Sequence, residues 1–154
     1  MVEPILEVEG LKTHFKLREG VLKAVDGISF PLAPDEVLCI VGESGSGKSV
    51  TALSILRLID PPGHIVEGRI RYRDKDLLDL SEREMEKIRG DRIGMIFQDP
   101  MTSLNPVFTI GEQIAEGLRE HLNLGKKEAQ GQAIELLRSV GIPNPEERYR
   151  DYPH

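Results

Sequence analysis

Residues 42–49 read Gly-Glu-Ser-Gly-Ser-Gly-Lys-Ser. The stretch has the spacing of a glycine, four residues, a second glycine, a lysine and a serine. The apolar run Val37–Val41 precedes it, and Leu53 and Leu56 follow it at helical spacing. The sequence therefore predicts a buried strand, a glycine-rich loop and a helix in direct succession.

This loop is suited to binding phosphate, and its pattern is that of the P-loop. Its glycines permit backbone angles that other residues resist, so successive N–H groups can surround phosphate oxygens. The helix N-terminus attracts anions, Lys48 can reach the β and γ phosphates, and the Ser49 hydroxyl can bind Mg²⁺. A glycine-rich turn that fits by coincidence is the alternative, which the strand-to-helix context disfavours. The predicted contacts to nucleotide are Gly42, Ser44, Gly45, Ser46, Gly47, Lys48, Ser49 and Val50.

The composition excludes several classes of protein. The 154 residues carry 26 acidic and 20 basic side chains, a net charge of -6, which gives no broad attraction to nucleic acid. No apolar run approaches the roughly 20 residues of a membrane span, and residues 1–4 do not open a signal peptide. Cys39 is the one cysteine and lies in an apolar run, so we expect it in the core. A cytoplasmic protein that forms one domain, or part of one, is predicted.

Further strands are expected on both sides of the P-loop. Ile5–Val8 is a short strand, and residues 28–32 alternate in polarity, with a proline that indicates an edge strand. Residues 69–73 alternate apolar side chains with arginines, as in a strand with one solvated face. Residues 93–97 are mostly apolar and predict a buried strand that ends at Gln98.

Helices are likewise predicted from short sequence patterns at their ends. The helix after the P-loop is expected to continue as far as Pro61-Pro62. Ser81 with Glu84, and Thr109 with Glu112, have the spacing of capping boxes at the start of helices. A further helix is expected to end at Gly141.

Residues 92–100, Arg-Ile-Gly-Met-Ile-Phe-Gln-Asp-Pro, resemble the Q-loop of the ABC ATPases. The resemblance implies an α/β P-loop NTPase of the ABC ATPase type with an N-terminal antiparallel β part. The change from strand patterns to helical patterns near Val107 divides the chain into a nucleotide-binding core at residues 1–107 and the start of a helical subdomain at 108–154. The resemblance also implies that Gln98 reaches Mg²⁺ and the attacking water. Lys48 and Gln98 are thus the expected catalytic residues, and Ser49 and Gln98 the metal ligands.

Residue chemistry alone leaves other interpretations open. A glutamine at a strand end is usually a surface or capping group, and only its combination with the P-loop favours a ligand. Residues 11–15 resemble the segment whose aromatic residue stacks on adenine in this family, which implies that Phe15 binds the base, although a lone Phe is ordinarily core. Residues 23–30 and 101–111 are similar to the dipeptide, oligopeptide and nickel importer branch. Without that similarity, Asn105-Pro106 reads as a turn before a helix.

The resemblance extends to Tyr152-Pro153-His154, which looks like the tripeptide that precedes the family's signature motif. The signature, the second Mg²⁺-binding aspartate, the catalytic glutamate and the switch histidine are not among these 154 residues. We do not expect Asp99 to replace the catalytic base. The resemblance therefore implies the N-terminal part of a protein that binds ATP with Mg²⁺ and drives peptide import.

The implied partners are transmembrane permease subunits and a second ATP-binding subunit, at the inner face of the cell membrane. These 154 residues by themselves are expected to bind nucleotide without turnover and to expose apolar surface, with self-association or disorder near the C-terminus as the result. A soluble P-loop kinase is the remaining alternative, which Gln98 and its neighbours argue against.

Overall fold

A computed structural model describes residues 3–98 and 103–154. The chain forms two compact units, Met1–Met85 and Glu86–His154. Residues 86–98 thus belong to the second unit together with the helices. The division of the sequence at 107/108 into a nucleotide-binding core and a helical subdomain rests on the change from strand-rich to helical sequence patterns and stays a prediction.

The first unit contains a four-stranded antiparallel sheet in the order β2-β1-β3-β4. The strands are β1 Leu6–Leu17, β2 Gly20–Leu32, β3 Gly63–Tyr72 and β4 Lys75–Asp76. The predicted antiparallel part is therefore confirmed, and so is the edge position of the strand that contains Pro31. Both N-terminal strands are longer than predicted, because Arg18-Glu19 join them in a tight hairpin that extends the pairing as far as Leu17 and Gly20.

The core of this unit lies on one face of β1. Val8 and Leu11 on β1 and Ile70 on β3 are buried, at 1%, 0% and 0% exposure. Leu77 and Met85 are also fully buried. Each such side chain contributes roughly 1.5–3 kcal/mol relative to an exposed position.

Helix α1, Lys48–Ile55, follows the P-loop but ends earlier than predicted. Arg57 adopts a left-handed conformation with φ 53°, and its guanidinium donates to the carbonyls of Leu77 and Leu80. These two bonds stabilise a conformation that a continuing helix could not adopt. The next helix, α2 Glu82–Glu86, begins as predicted, because Glu84 accepts hydrogen bonds from both the N–H and the hydroxyl of Ser81.

The predicted buried strand before the P-loop was wrong. Val37 and Val41 are 88% and 89% exposed, and no described strand pairs with the run between them. Cys39 is exposed too, so the prediction that it belongs to the core was also wrong. An apolar run becomes a central strand only when neighbouring strands satisfy its backbone groups, and no such neighbour stands beside it in the part of the chain that the structure describes.

The second unit is helical, with α3 Ile110–Leu122, α4 Lys126–Ser139 and α5 Pro145–Arg148. Ala115, Ala129 and Ala133 form its fully buried centre, and small side chains there let α3 and α4 approach closely. Thr109 caps α3 by accepting from the N–H of Glu112, as predicted. Residues 93–97 were predicted as a buried strand, which was wrong: Arg89 and Ile93 form one isolated bridge, and Ile96 is 98% exposed. As with the first run, no described strand flanks them.

Helix α4 ends in a Schellman motif at Gly141, whose φ is 77°. The N–H of Ile142 donates to Leu137 O and that of Gly141 to Arg138 O. This local glycine chemistry confirms the predicted end of the helix.

The segment that follows α5 closes the start of α3. Ile110 N donates to Asp151 O, and Gly111 N donates to Tyr149 O, both at 2.9 Å. A Cβ at Gly111 would lie 2.1 Å from the Tyr149 ring, so only glycine fits there. Burial raises the pKa of Tyr149, and the carboxylate of Glu112 raises it further. No helix in the two described stretches combines the length and the apolar character of a membrane span.

Candidate functional site

The backbone of the P-loop depends on two glycines with positive φ. Gly45 has φ 80° and Gly47 has φ 90°, values that other residues adopt only with strain. Gly47 also approaches the sheet closely, since an added Cβ would lie 2.2 Å from Ala24 O. A side chain at this position would therefore displace either the loop or strand β2.

Lys48 holds the P-loop closed around its own ammonium group. Its Nζ donates to Gly42 O at 2.8 Å, to Glu43 O at 2.7 Å and to the Ser46 hydroxyl at 3.3 Å. An ammonium has three N–H donors, and these contacts use all of them. The positive charge therefore lies at the centre of the loop, where an anion would be attracted.

Helix α1 begins directly at Lys48, with Gly47 as its N-cap. No side chain in the described part of the chain caps the helix, and its first turn has no acidic residue. The first N–H groups of an α-helix have no partner within the helix and carry partial positive charge. Thr51 fixes the junction, because its N–H and its hydroxyl both donate to Gly47 O, at 2.8 and 3.0 Å. The helix start is thus an open anion site on a rigid base.

A cavity of about 340 Å³ joins this anion site to the β1–β2 hairpin. Its lining consists of Phe15, Leu17, Leu22, Ala24, Gly45, Ser46, Gly47, Lys48, Ser49 and Val50. One end is apolar and comes from the hairpin, while the other is the P-loop and the first turn of α1. The volume lies in the usual range of small-molecule sites.

The apolar wall follows from the strand register. Phe15 lies directly opposite Leu22 on β2, and Leu17 lies two residues further along β1, so all three share a face. Leu17 and Leu22 are 52% and 54% exposed at the mouth of the cavity. An apolar ring between them would remove this surface from water. Sequence reasoning missed both leucines, although their spacing from Phe15 along and across the hairpin was an available signal.

The predicted site residues are only partly brought together. Phe15 and residues 45–50 line one cavity. Gly42 and Ser44 belong to the P-loop but not to the cavity lining. Gln98 is exposed in the second unit, and its approach to the P-loop stays a prediction. Asp99 lies outside the described residues.

The cavity fits a nucleotide with Mg²⁺. A base suits the apolar wall, phosphates suit the backbone N–H groups and Lys48, and the Ser49 hydroxyl lies beside them on α1. No group of three or more His, Cys, Asp and Glu side chains among the described residues is placed to hold a metal. Mg²⁺ at nucleotide sites usually takes most of its ligands from phosphate oxygens and water.

Comparison with known families decides the assignment. The family model of the ABC transporters matches residues 25–154, most of the chain. The chain belongs to the ABC transporter family. The ABC match covers the P-loop, α1 and the whole helical unit.

Individual relatives of this ABC chain include proteins named for peptide transport. The oligopeptide transport ATP-binding protein OppD of Bacillus subtilis is 51% identical over 99% of this chain and 43% of its own length. The dipeptide transport ATP-binding protein DppD of the same organism is 47% identical over 99% of this chain and 46% of its own length. The chain spans less than half the length of these relatives.

A solved structure of similar fold is a dimeric ATP-binding cassette in a post-hydrolysis state, bound to ADP and Pi. It matches with a TM-score of 0.80 and 25% identity, over 96% of this chain and 61% of its own. The predicted fold class, a P-loop NTPase of the ABC ATPase type, is therefore confirmed.

Proposed function

We propose that the protein is the ATP-binding subunit of an ABC importer for peptides, which uses ATP binding and hydrolysis to drive transport. The observation that carries the proposal is the cavity that places Phe15 and the P-loop around one space. The names of the relatives, with 47% and 51% identity, support peptides as the cargo.

Each part of the cavity has a distinct task in this proposal. Phe15 stacks on the adenine ring, and aromatic contacts of this kind are worth ~1–3 kcal/mol per base. Backbone groups of Gly42, Ser44 and residues 45–50 surround the phosphates. Lys48 exchanges its contacts with the loop carbonyls for contacts with the β and γ phosphates.

Hydrolysis of the bound ATP involves Ser49, Gln98 and Lys48 in this proposal. Ser49 and Gln98 would hold Mg²⁺, and Gln98 would orient the attacking water. The metal ion, when bound, neutralises charge on the phosphate oxygens. Lys48 keeps positive charge beside the same oxygens, where negative charge increases as the bond to the leaving group breaks.

The proposal extends to partners. A second ATP-binding subunit would complete the nucleotide site, an arrangement supported by the dimeric state of the solved cassette. Transmembrane permease subunits would receive the energy, which places the protein at the inner face of the cell membrane. The names of the relatives as transport proteins support this location.

The test is Mg²⁺-dependent binding of a fluorescent ATP analogue, with phosphate release followed in the same sample. Lys48→Ala should weaken binding at least about tenfold, because a charge-assisted contact to phosphate is worth roughly 1.5–3 kcal/mol. Lys126→Ala is a matched control, because Lys126 is also the first residue of a helix with a glycine N-cap. Equal binding by both variants would refute the site. Binding without phosphate release would assign nucleotide binding alone to these 154 residues, and phosphate transfer to a small acceptor would support a kinase.

A further inference from the structure

Two buried hydroxyl groups meet between the sheet and helix α1. Thr13 Oγ1 and Ser54 Oγ lie 2.8 Å apart, and both residues are 0% exposed. The Ser54 hydroxyl donates its one proton to Val50 O at 2.7 Å, so Thr13 must be the donor between the two side chains. Each buried hydroxyl is thereby satisfied, as burial in an apolar core requires.

This hydrogen bond joins the two ends of the cavity. Thr13 lies two residues before Phe15 on β1, so the two side chains share a face of the strand. Ser54 lies on α1 less than two turns beyond Lys48. The bond therefore links the strand that presents the aromatic ring to the helix that presents the phosphate site.

We propose that Thr13 and Ser54 are positioning residues, which set the separation between Phe15 and the P-loop so that one nucleotide contacts both. The proposal rests on the proposed function, because it assumes that the base and the phosphates occupy the two ends of the cavity. The alternative is that the pair only fills space, in which case apolar side chains of the same shape would serve equally well.

Thr13→Val separates these two roles. Valine keeps the shape of threonine, and Ser54 still donates to Val50 O, so no buried donor loses its partner. The link between β1 and α1 is lost. We expect the Kd for ATP to rise about fivefold, the equivalent of one net hydrogen bond. The Kd for inorganic triphosphate, which has no base, should change less than about twofold. Thr13→Ser, which keeps the hydroxyl, should restore ATP binding.

A second measurement tests whether the effect acts through the aromatic ring. In a Phe15→Ala background, Thr13→Val should cause no further loss of ATP binding, because the residue to be positioned is absent. Ser54→Ala removes the same bond from the helix side, and its effect should also be confined to ATP. Thermal unfolding of each variant establishes that it is folded.

Three outcomes would overturn the proposal: an equal loss of ATP and triphosphate binding, no change in ATP binding by folded Thr13→Val, or a loss that persists without Phe15. If neither ligand depends on Lys48, the proposed function itself fails. The Lys48→Ala measurement thus distinguishes failure of the site from failure of the positioning pair.

Discussion

The close approach of Gly47 to strand β2 predicts that Gly47→Ala will damage the P-loop more than backbone strain alone would. The new Cβ would lie 2.2 Å from Ala24 O. Ordinary contacts begin at about 3.5 Å, so the loop and the start of α1 must move by more than about 1 Å. Hydrogen bonds from the loop to phosphate do not survive such a shift with good geometry.

Gly47→Ala should lower both the stability of the protein and its affinity for ATP. The positive φ of 90° should lower the free energy of unfolding by about 1–2 kcal/mol when alanine occupies it. The displaced loop should in addition weaken ATP binding at least about 150-fold, the equivalent of two charge-assisted hydrogen bonds of about 1.5 kcal/mol each. Gly141→Ala provides the control, because Gly141 has a similar φ of 77° and no heavy atom within 4 Å of its added Cβ.

The assay combines titration with a fluorescent ATP analogue and thermal unfolding of both variants. Both should lose stability, and only Gly47→Ala should lose affinity. If the two variants bind ATP equally well, the contact between Gly47 and Ala24 does not shape the site and the reasoning is refuted.

Two further predictions concern exposed apolar residues. Leu22→Ser should raise the Kd for ATP about threefold, because it removes part of the apolar wall of the cavity. Val21→Ser is the control, because Val21 lies on the opposite face of β2 and its replacement should leave the Kd unchanged. Equal Kd values for the two variants would count against binding of the base at this wall. The run Val37–Val41, whose ends are 88% and 89% exposed and which pairs with no described strand, should promote self-association through its backbone groups. Val41→Lys should then shift sedimentation toward the monomer, and a wild-type chain that is monomeric at every concentration would contradict this.

Local chemistry was the part of the structure that the sequence predicted well. The caps at Ser81 and Thr109 and the glycine end of α4 depend on residues within one or two turns, so pattern alone specifies them. The P-loop is of the same kind, since its glycines and Lys48 act through adjacent backbone groups.

Predictions failed where a residue depends on distant partners. The run Val37–Val41 has the pattern of a central strand, but a strand exists only where neighbours pair with it. Leu17 and Leu22 line the cavity because of the register of the β1–β2 hairpin. The sequence alone does not specify that register. The early end of α1 likewise depends on hydrogen bonds that Arg57 donates to the distant carbonyls of Leu77 and Leu80.

The hydrogen bonds from Ile110 and Gly111 to residues 149–151 have a consequence for how this region can change in evolution. They hold the first turn of α3 next to the segment after α5, so the two ends of the helical segment that runs from α3 to α5 are adjacent. A segment whose ends are adjacent can be lengthened, shortened or exchanged while the chain on either side keeps its course. Variation among related proteins should therefore concentrate in the turn at residues 123–125 and spare the junction of Gly111 with Tyr149.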